Sequence, residues 1–185
     1  DLNENETYFF SVLGSNDYGD GVASEFLGVV PSSNPISILI VNGFDRITGT
    51  NNTFDFIEQH GSSISAFGRA FDSAANEAIE NNTINLMDYQ FVNWILGEEG
   101  TSTNVLTETE QSAIREYLED GRFLFISGSE IGYDLEAQGN PSDIEFYQNY
   151  LKSNYISDAA GGHQEVYRGF GIDGSIFDGI SEIQY

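Results

Sequence analysis

Phe123-Leu124-Phe125-Ile126-Ser127-Gly128-Ser129-Glu130-Ile131-Gly132 is an apolar run that stops at a small-residue turn. Four apolar residues in a row read as a strand buried on both faces, as in a parallel sheet. Glycines two before and two after Glu130 predict a sharp strand-to-helix turn. Small residues there let the backbone come close while the central side chain projects from the sheet edge. Ile36–Val41 is a second nearly unbroken apolar run, and a further strand is expected around Tyr89–Leu96.

Helical patterns fall between these runs. Thr107 and Glu110 have capping-box spacing, ahead of an apolar face of Ala113, Ile114, Tyr117 and Leu118, with Gly121 as terminator. Ala66–Glu80 carries Phe67, Ala70, Phe71, Ala74 and Ala78 on one helical stripe. Phe54–His60 predicts a short helix with Thr53 as its cap and Gly61 past its end. Pro141 and Ser142, with Glu145 three residues on, predict a further helix. Strands alternating with helices make the expected fold α/β, a flavodoxin-like parallel sheet with helices on both faces.

The first 30 residues have another grammar. Thr7–Leu13, the turn cluster Gly14–Gly21 and Val22–Val30 predict an N-terminal β-hairpin. Thr7, Tyr8, Phe10, Val12, Asn16, Gly19 and Ser24 match the TYxFxVxxxNxxGxxxxS run that is typical of the last two strands of a fibronectin type III module. The organisation expected from this resemblance is a partial module over 1–30, a Pro- and Ser-rich linker over 31–35, and an α/β domain over 36–185 that is cut short at its C-terminus. Two strands cannot form a sandwich core alone, so the hairpin should leave Tyr8, Phe10 or Val12 partly exposed.

Composition limits function. The chain of 185 residues has 30 Asp and Glu against 6 Lys and Arg, a formal charge of -24. That balance excludes phosphate neutralisation of a nucleic acid and argues against docking on an anionic membrane. No run approaches 18 apolar residues, so no membrane span is expected. There is no cysteine, which removes disulfides, thiolate metal sites and cysteine nucleophiles. An acidic, Asn-rich, Gly-rich and Lys-poor chain fits a secreted or cell-surface location, and a halophilic or acidic cytosolic protein would show the same balance.

In open α/β sheets ligands sit outside the carboxyl ends of the strands. The sequence places Asp45 and Arg46 after the first core strand, Glu98 and Glu99 after the middle one, and Ser129 and Glu130 after the last. Glu130 is the candidate catalytic residue; the others are candidate ligand-binding residues, expected to open onto one edge with it. Each has a plainer reading. Glu130 can be a solvated turn carboxylate, Asp45-Arg46 a local ion pair, and Glu98-Glu99 a charged loop. His60 reads as a helix C-terminal residue complementing the dipole, and His163 as a loop residue, more readily than either reads as a base. A triad through Ser129 fails, because Ser127 stands where G-x-S-x-G needs glycine. No EF-hand spacing is present, and the glycines near Gly169 and Gly171 make a weak phosphate loop, so neither metal nor cofactor is expected.

From Ile36 onward the chain resembles a class I glutamine amidotransferase-like domain. In active members the turn reads G-x-C-x-G with a nucleophilic cysteine. Gly128 and Gly132 match those glycines, and Glu130 stands in place of the cysteine. The combination ILIVNGFDR with FLFISGSEIGYDL resembles multidomain bacterial surface proteins in which such a domain follows a fibronectin type III module. Some of these carry golvesin-like domains and xanthan lyase or amidase labels. The resemblance implies secretion and a modular parent whose neighbouring domains are partners. Without a cysteine no thioester can form, so glutaminase chemistry is ruled out. Two readings follow: a non-catalytic binding or organising domain, or a hydrolase or lyase acting on polysaccharide or peptidoglycan through Glu130. A phosphate or nucleotide site is disfavoured by the acidic edge.

Overall fold

The computed structural model describes residues 2–46, 52–98, 104–157 and 168–184. Its first elements are β1 (Tyr8–Phe10), β2 (Leu13–Asn16), β3 (Gly19–Ala23) and β4 (Leu27–Val29). They form one antiparallel hairpin interrupted midway: β1 pairs with β4, Tyr8 opposite Val29, and β2 pairs with β3 across an irregular register. Tyr8 is half-buried, and Phe10 and Val12 are exposed. Phe9 points the other way, into a cluster with Val30.

The centre of the fold is a four-stranded parallel sheet, β6-β5-β7-β8. Its strands are β5 (Ile38–Asn42), β6 (Asp72–Ala75), β7 (Phe91–Gly97) and β8 (Phe123–Gly128). In register, Ile38 lies beside Phe91 and Phe91 beside Phe123. The three expected core strands are thus parallel neighbours, as the sequence predicts. The hairpin is tied to the β6 edge: the Val30 amide donates to the Phe71 carbonyl, and the Ser73 hydroxyl accepts from the Gly28 amide at 2.6 Å.

Two predicted helices fall elsewhere. Helix α1 is Phe56–Ala66, with Asp55 rather than Thr53 at its N-cap position. Gly61 does not end it. A Cβ there would stand 2.5 Å from the Phe71 ring, so glycine lets α1 lie close on the sheet. The chain turns instead at Gly68, at φ +74. Ala66–Glu80 is not one helix but the end of α1, strand β6 and a short α2 (Asn76–Glu80). Phe71 and Ala74, three apart, enter the clusters on opposite faces of the sheet, which is strand geometry. Pairing with β5 overrides the helical preference of an Ala-rich segment.

Helix α3 (Glu108–Glu119) starts at the expected Thr107–Glu110 capping box. Helix α4 (Pro141–Asn149) is capped two residues earlier than predicted, at Asn140 rather than Ser142. Asn140 and Asp143 form its box and Pro141 occupies the first turn, while Glu145 pairs with Arg115. The remaining pair, β9 (Arg168–Gly169) and β10 (Ile183–Gln184), is antiparallel.

The two faces of the sheet are covered unequally. Under α2, α3 and α4, Leu39, Val41, Val92, Trp94 and Leu96 pack with Ile114, Tyr117 and Phe146. On the other face α1 and the hairpin cover β5 and β6, where Ile40, Ile57, Phe71 and Ile95 cluster. Phe91, Phe123 and Phe125 lie on that face beyond the cover, and all three are exposed. The expectation that β8 is buried on both faces is therefore corrected: over Phe123–Ile126, Leu124 and Ile126 pack inward while Phe123 and Phe125 meet solvent.

Candidate functional site

Strand β8 runs into the predicted sharp turn. The Ser129 amide donates to the Gly97 carbonyl at 2.7 Å, and the Asp134 amide to the Glu130 carbonyl at 2.8 Å, which starts a helical segment ending in a π-turn over Tyr133–Ala137. Glu130 is held at φ +63, a left-handed conformation that costs an L side chain of its bulk about 1 kcal/mol or more. The two flanking glycines are under different constraint: Gly128 faces atoms that cannot move, Gly132 the end of a side chain that can. A Cβ on Gly128 would meet the Leu96 Cβ at 2.7 Å and the Gly97 carbonyl oxygen at 2.9 Å. A Cβ on Gly132 would meet the Tyr147 hydroxyl at 2.7 Å. The G-x-E-x-G spacing thus has the steric logic predicted from sequence, with a carboxylate projected at the carboxyl end of the strand.

Glu130 opens onto a cleft of about 540 Å³ between this turn and the end of α4. Ile126, Ile131 and Leu151 give it an apolar floor, Ile156 stands exposed at its rim, and Tyr133, Tyr147 and Tyr155 line it. The Tyr133 and Tyr155 rings meet edge to face at 5.9 Å. Glu136 fastens the wall, accepting from the Tyr155 amide at 2.5 Å and from Gln148 Nε2 at 2.7 Å. Among the described residues lining the cleft, Glu130 is the only carboxylate, and none is His, Lys or Arg. The arrangement offers one anionic hydrogen-bond acceptor and aromatic surface, the pairing that suits a polyhydroxylated ring.

The other predicted residues do not line this cleft. Asp45 lies on a second cavity of about 380 Å³, with Glu25, Glu77, Glu80, Asn76 and Thr107. Buried Glu110 stands behind it, accepting from Asn76 Nδ2 at 3.0 Å and from the Thr107 amide at 2.6 Å. Burial pushes the Glu110 carboxyl above its usual range against those hydrogen bonds. Glu25 is raised for the same reason, partly offset by its bond from Asn42 and reinforced by the charges of Glu77 and Asp45. Even so, among the described residues no three acidic or histidine side chains converge where a metal ion could be held.

Arg46 and Glu98 belong to a third place, organised by buried Asn52. Its side-chain amide donates to the Arg46 carbonyl at 2.7 Å, and its oxygen accepts from the Glu98 amide at 2.6 Å. Ser129 is exposed and held by its backbone. Glu99 and His163 lie outside the described residues. His60 is not at a helix end but in the second turn of α1, where its Nδ1 lies 2.8 Å from Asn93 Nδ2 and burial lowers its pKa. The expected single acidic edge is therefore divided into separate neighbourhoods.

The tyrosines of the cleft are not legible in the sequence. They come from three segments with no local periodicity, and only the packing of α4 against the turn assembles them. The Glu110 site is half-visible there, because the capping box places that carboxylate but not its bond to Asn76.

No known protein family, curated protein or solved structure matches the chain.

Proposed function

We propose that this chain is a non-catalytic binding domain of a secreted or cell-surface modular protein, and that its ligand is a polysaccharide or peptidoglycan glycan seated at the Glu130 cleft. The observation that carries this reading is a lone, outward-held carboxylate among three tyrosines. Tyrosine rings stack on the apolar face of a sugar, and a carboxylate accepts hydrogen bonds from its hydroxyls. Glycoside cleavage by two carboxylates needs a partner acid or base within about 5 to 10 Å, and the described residues that line the cleft include no second acid and no base. The resemblance to the amidotransferase-like domains of modular surface proteins agrees with a scaffold that has lost its nucleophile and kept its turn.

The second reading, a hydrolase or lyase using Glu130, is favoured by one observation: the left-handed backbone at that residue, since strain of this kind collects at functional sites. Titration with oligosaccharides from xanthan and from peptidoglycan, followed by amide chemical shifts, separates the two. Binding should perturb Tyr133, Tyr147 and Tyr155, and Glu130→Gln should weaken it by about tenfold, the scale of one charge-assisted hydrogen bond. Release of new reducing or unsaturated ends, abolished by the same substitution, would replace the first reading by the second. Absence of any shift with either glycan would remove both.

A further inference from the structure

Resting on the reading of the Glu130 cleft as a glycan site, we propose that the sugar it takes is an amino sugar whose free ammonium pairs with the Glu130 carboxylate. The lining is charged on one side only. Among the described residues Glu130 is its one charged side chain, and the exposed Lys152, next to Leu151 in the chain, is not part of it. The Glu130 carboxylate makes no hydrogen bond or ion pair with any described residue. Glu136 in the wall differs, being engaged by the Tyr155 amide and by Gln148. An unpartnered carboxylate held outward at φ +63 accepts from any sugar hydroxyl. Its strongest complement is a cation, because a hydrogen bond between two ions is stronger than one from a neutral donor.

The aromatic lining acts in the same direction. A tyrosine ring carries negative charge on its face and attracts an ammonium, and Tyr133, Tyr147 and Tyr155 share the cleft with Glu130. An acidic sugar, with a uronate or a pyruvate ketal, brings a second negative charge to a lining whose described residues offer it only neutral donors. A hexosamine chain is therefore favoured over an acidic polysaccharide such as xanthan. Attraction by charge alone would select another place. The cavity beside Asp45 gathers Glu25, Glu77 and Glu80 as well, so a free cation collects there first. A ligand that chooses the Glu130 cleft must also cover Ile126, Ile131 and Leu151 and lie against the tyrosines. An ammonium carried on a sugar ring meets both demands.

The test uses tetrasaccharides of N-acetylglucosamine, one fully acetylated and one with a single residue de-N-acetylated, so that they differ by one acetyl group and one positive charge. Tetragalacturonate is the acidic probe. At pH 5.5 and low salt, amide shifts should place the amino tetramer at Tyr133, Tyr147 and Tyr155. It should bind about fivefold more tightly than the acetylated tetramer, the upper range for an exposed ion pair. Glu130→Gln should cancel that preference, and tetragalacturonate should not bind. Equal or tighter binding of the acetylated tetramer would overturn the proposal and leave the glycan reading standing. So would a preference that Glu130→Gln leaves intact, or tetragalacturonate seated in the cleft. Shifts centred on Asp45 and Glu77 would overturn it as attraction by charge alone. Nα-acetyl-lysine amide binding the cleft as tightly as the amino tetramer would show an ammonium site indifferent to sugar, and would overturn both the proposal and the glycan reading. Absence of shifts with every probe would also remove both.

Discussion

Two glutamates at the carboxyl edge of the same sheet have opposite fates. Glu110 is buried, with both its oxygens accepting from groups of its own fold, Asn76 and Thr107. Glu130 is exposed and held outward by a left-handed backbone between two closely packed glycines, Gly128 against backbone and Gly132 against the Tyr147 hydroxyl. The first carboxylate joins α2 to the start of α3. The second contributes little to the fold and faces a cleft of aromatic rings. Exposure and backbone cost, rather than charge, mark which acid is available to a ligand.

The largest effect expected is from Gly128→Ala. Its Cβ would meet the Leu96 Cβ and the Gly97 carbonyl, neither of which can swing away. A loss of about 3 kcal/mol, or roughly 6–12 °C in Tm for a chain of this size, is expected by thermal unfolding. An unchanged Tm would mean that the turn is looser than its contacts require. Glu110→Ala should cost about 2 kcal/mol, because it strands the Asn76 and Thr107 donors. Glu130→Ala should cost nothing, and equal losses at the two sites would erase the contrast between them.

The pH dependence sharpens the same contrast. Burial raises the carboxyls of Glu110 and Glu25 in the folded state. The folded chain then binds more protons than the unfolded one between the ordinary glutamate value and the raised one. Stability should rise as pH falls through that window from neutrality. His60 works against this. Its folded pKa is lowered, so its contribution is present above about 6.5 and lost as pH falls through the folded value. Urea unfolding followed from pH 7.5 down to 4.5 should show a smaller gain, or a larger loss, on acidification in Glu110→Ala than in the unsubstituted chain. A net loss that His60→Gln abolishes would mean that the histidine outweighs the two carboxyls.

The smallest effect has the opposite sign. Glu130→Gly relieves a left-handed side chain and should raise stability by about 0.5 kcal/mol. The same substitution should weaken glycan binding by about tenfold. A stability gain with unaltered binding would leave the strain without a function.

Much of this contrast is legible in the sequence. Strand-length segments rich in apolar residues locate β5, β7 and β8, and the Thr107–Glu110 box locates α3, because both signals are carried by neighbouring residues. The turn at Glu130 is legible for the same reason: two glycines at fixed spacing make a local steric statement. Phe71 and Ala74 mislead because an Ala-rich segment fits a helix when considered alone. Gly61 misleads because glycine serves close packing as well as helix ends, and only the Phe71 ring distinguishes the two uses.

By itself the sequence determined the parallel α/β sheet, the hairpin before it, the absence of any thiol chemistry and the place of Glu130 on its turn. These follow from short-range patterns and from composition, which need no partner to be read. Tertiary structure decided which carboxylates share a neighbourhood, which tyrosines surround Glu130 and which face of β8 stays open to solvent. Each of those depends on segments far apart in the chain, and their approach is set by packing that no local pattern encodes.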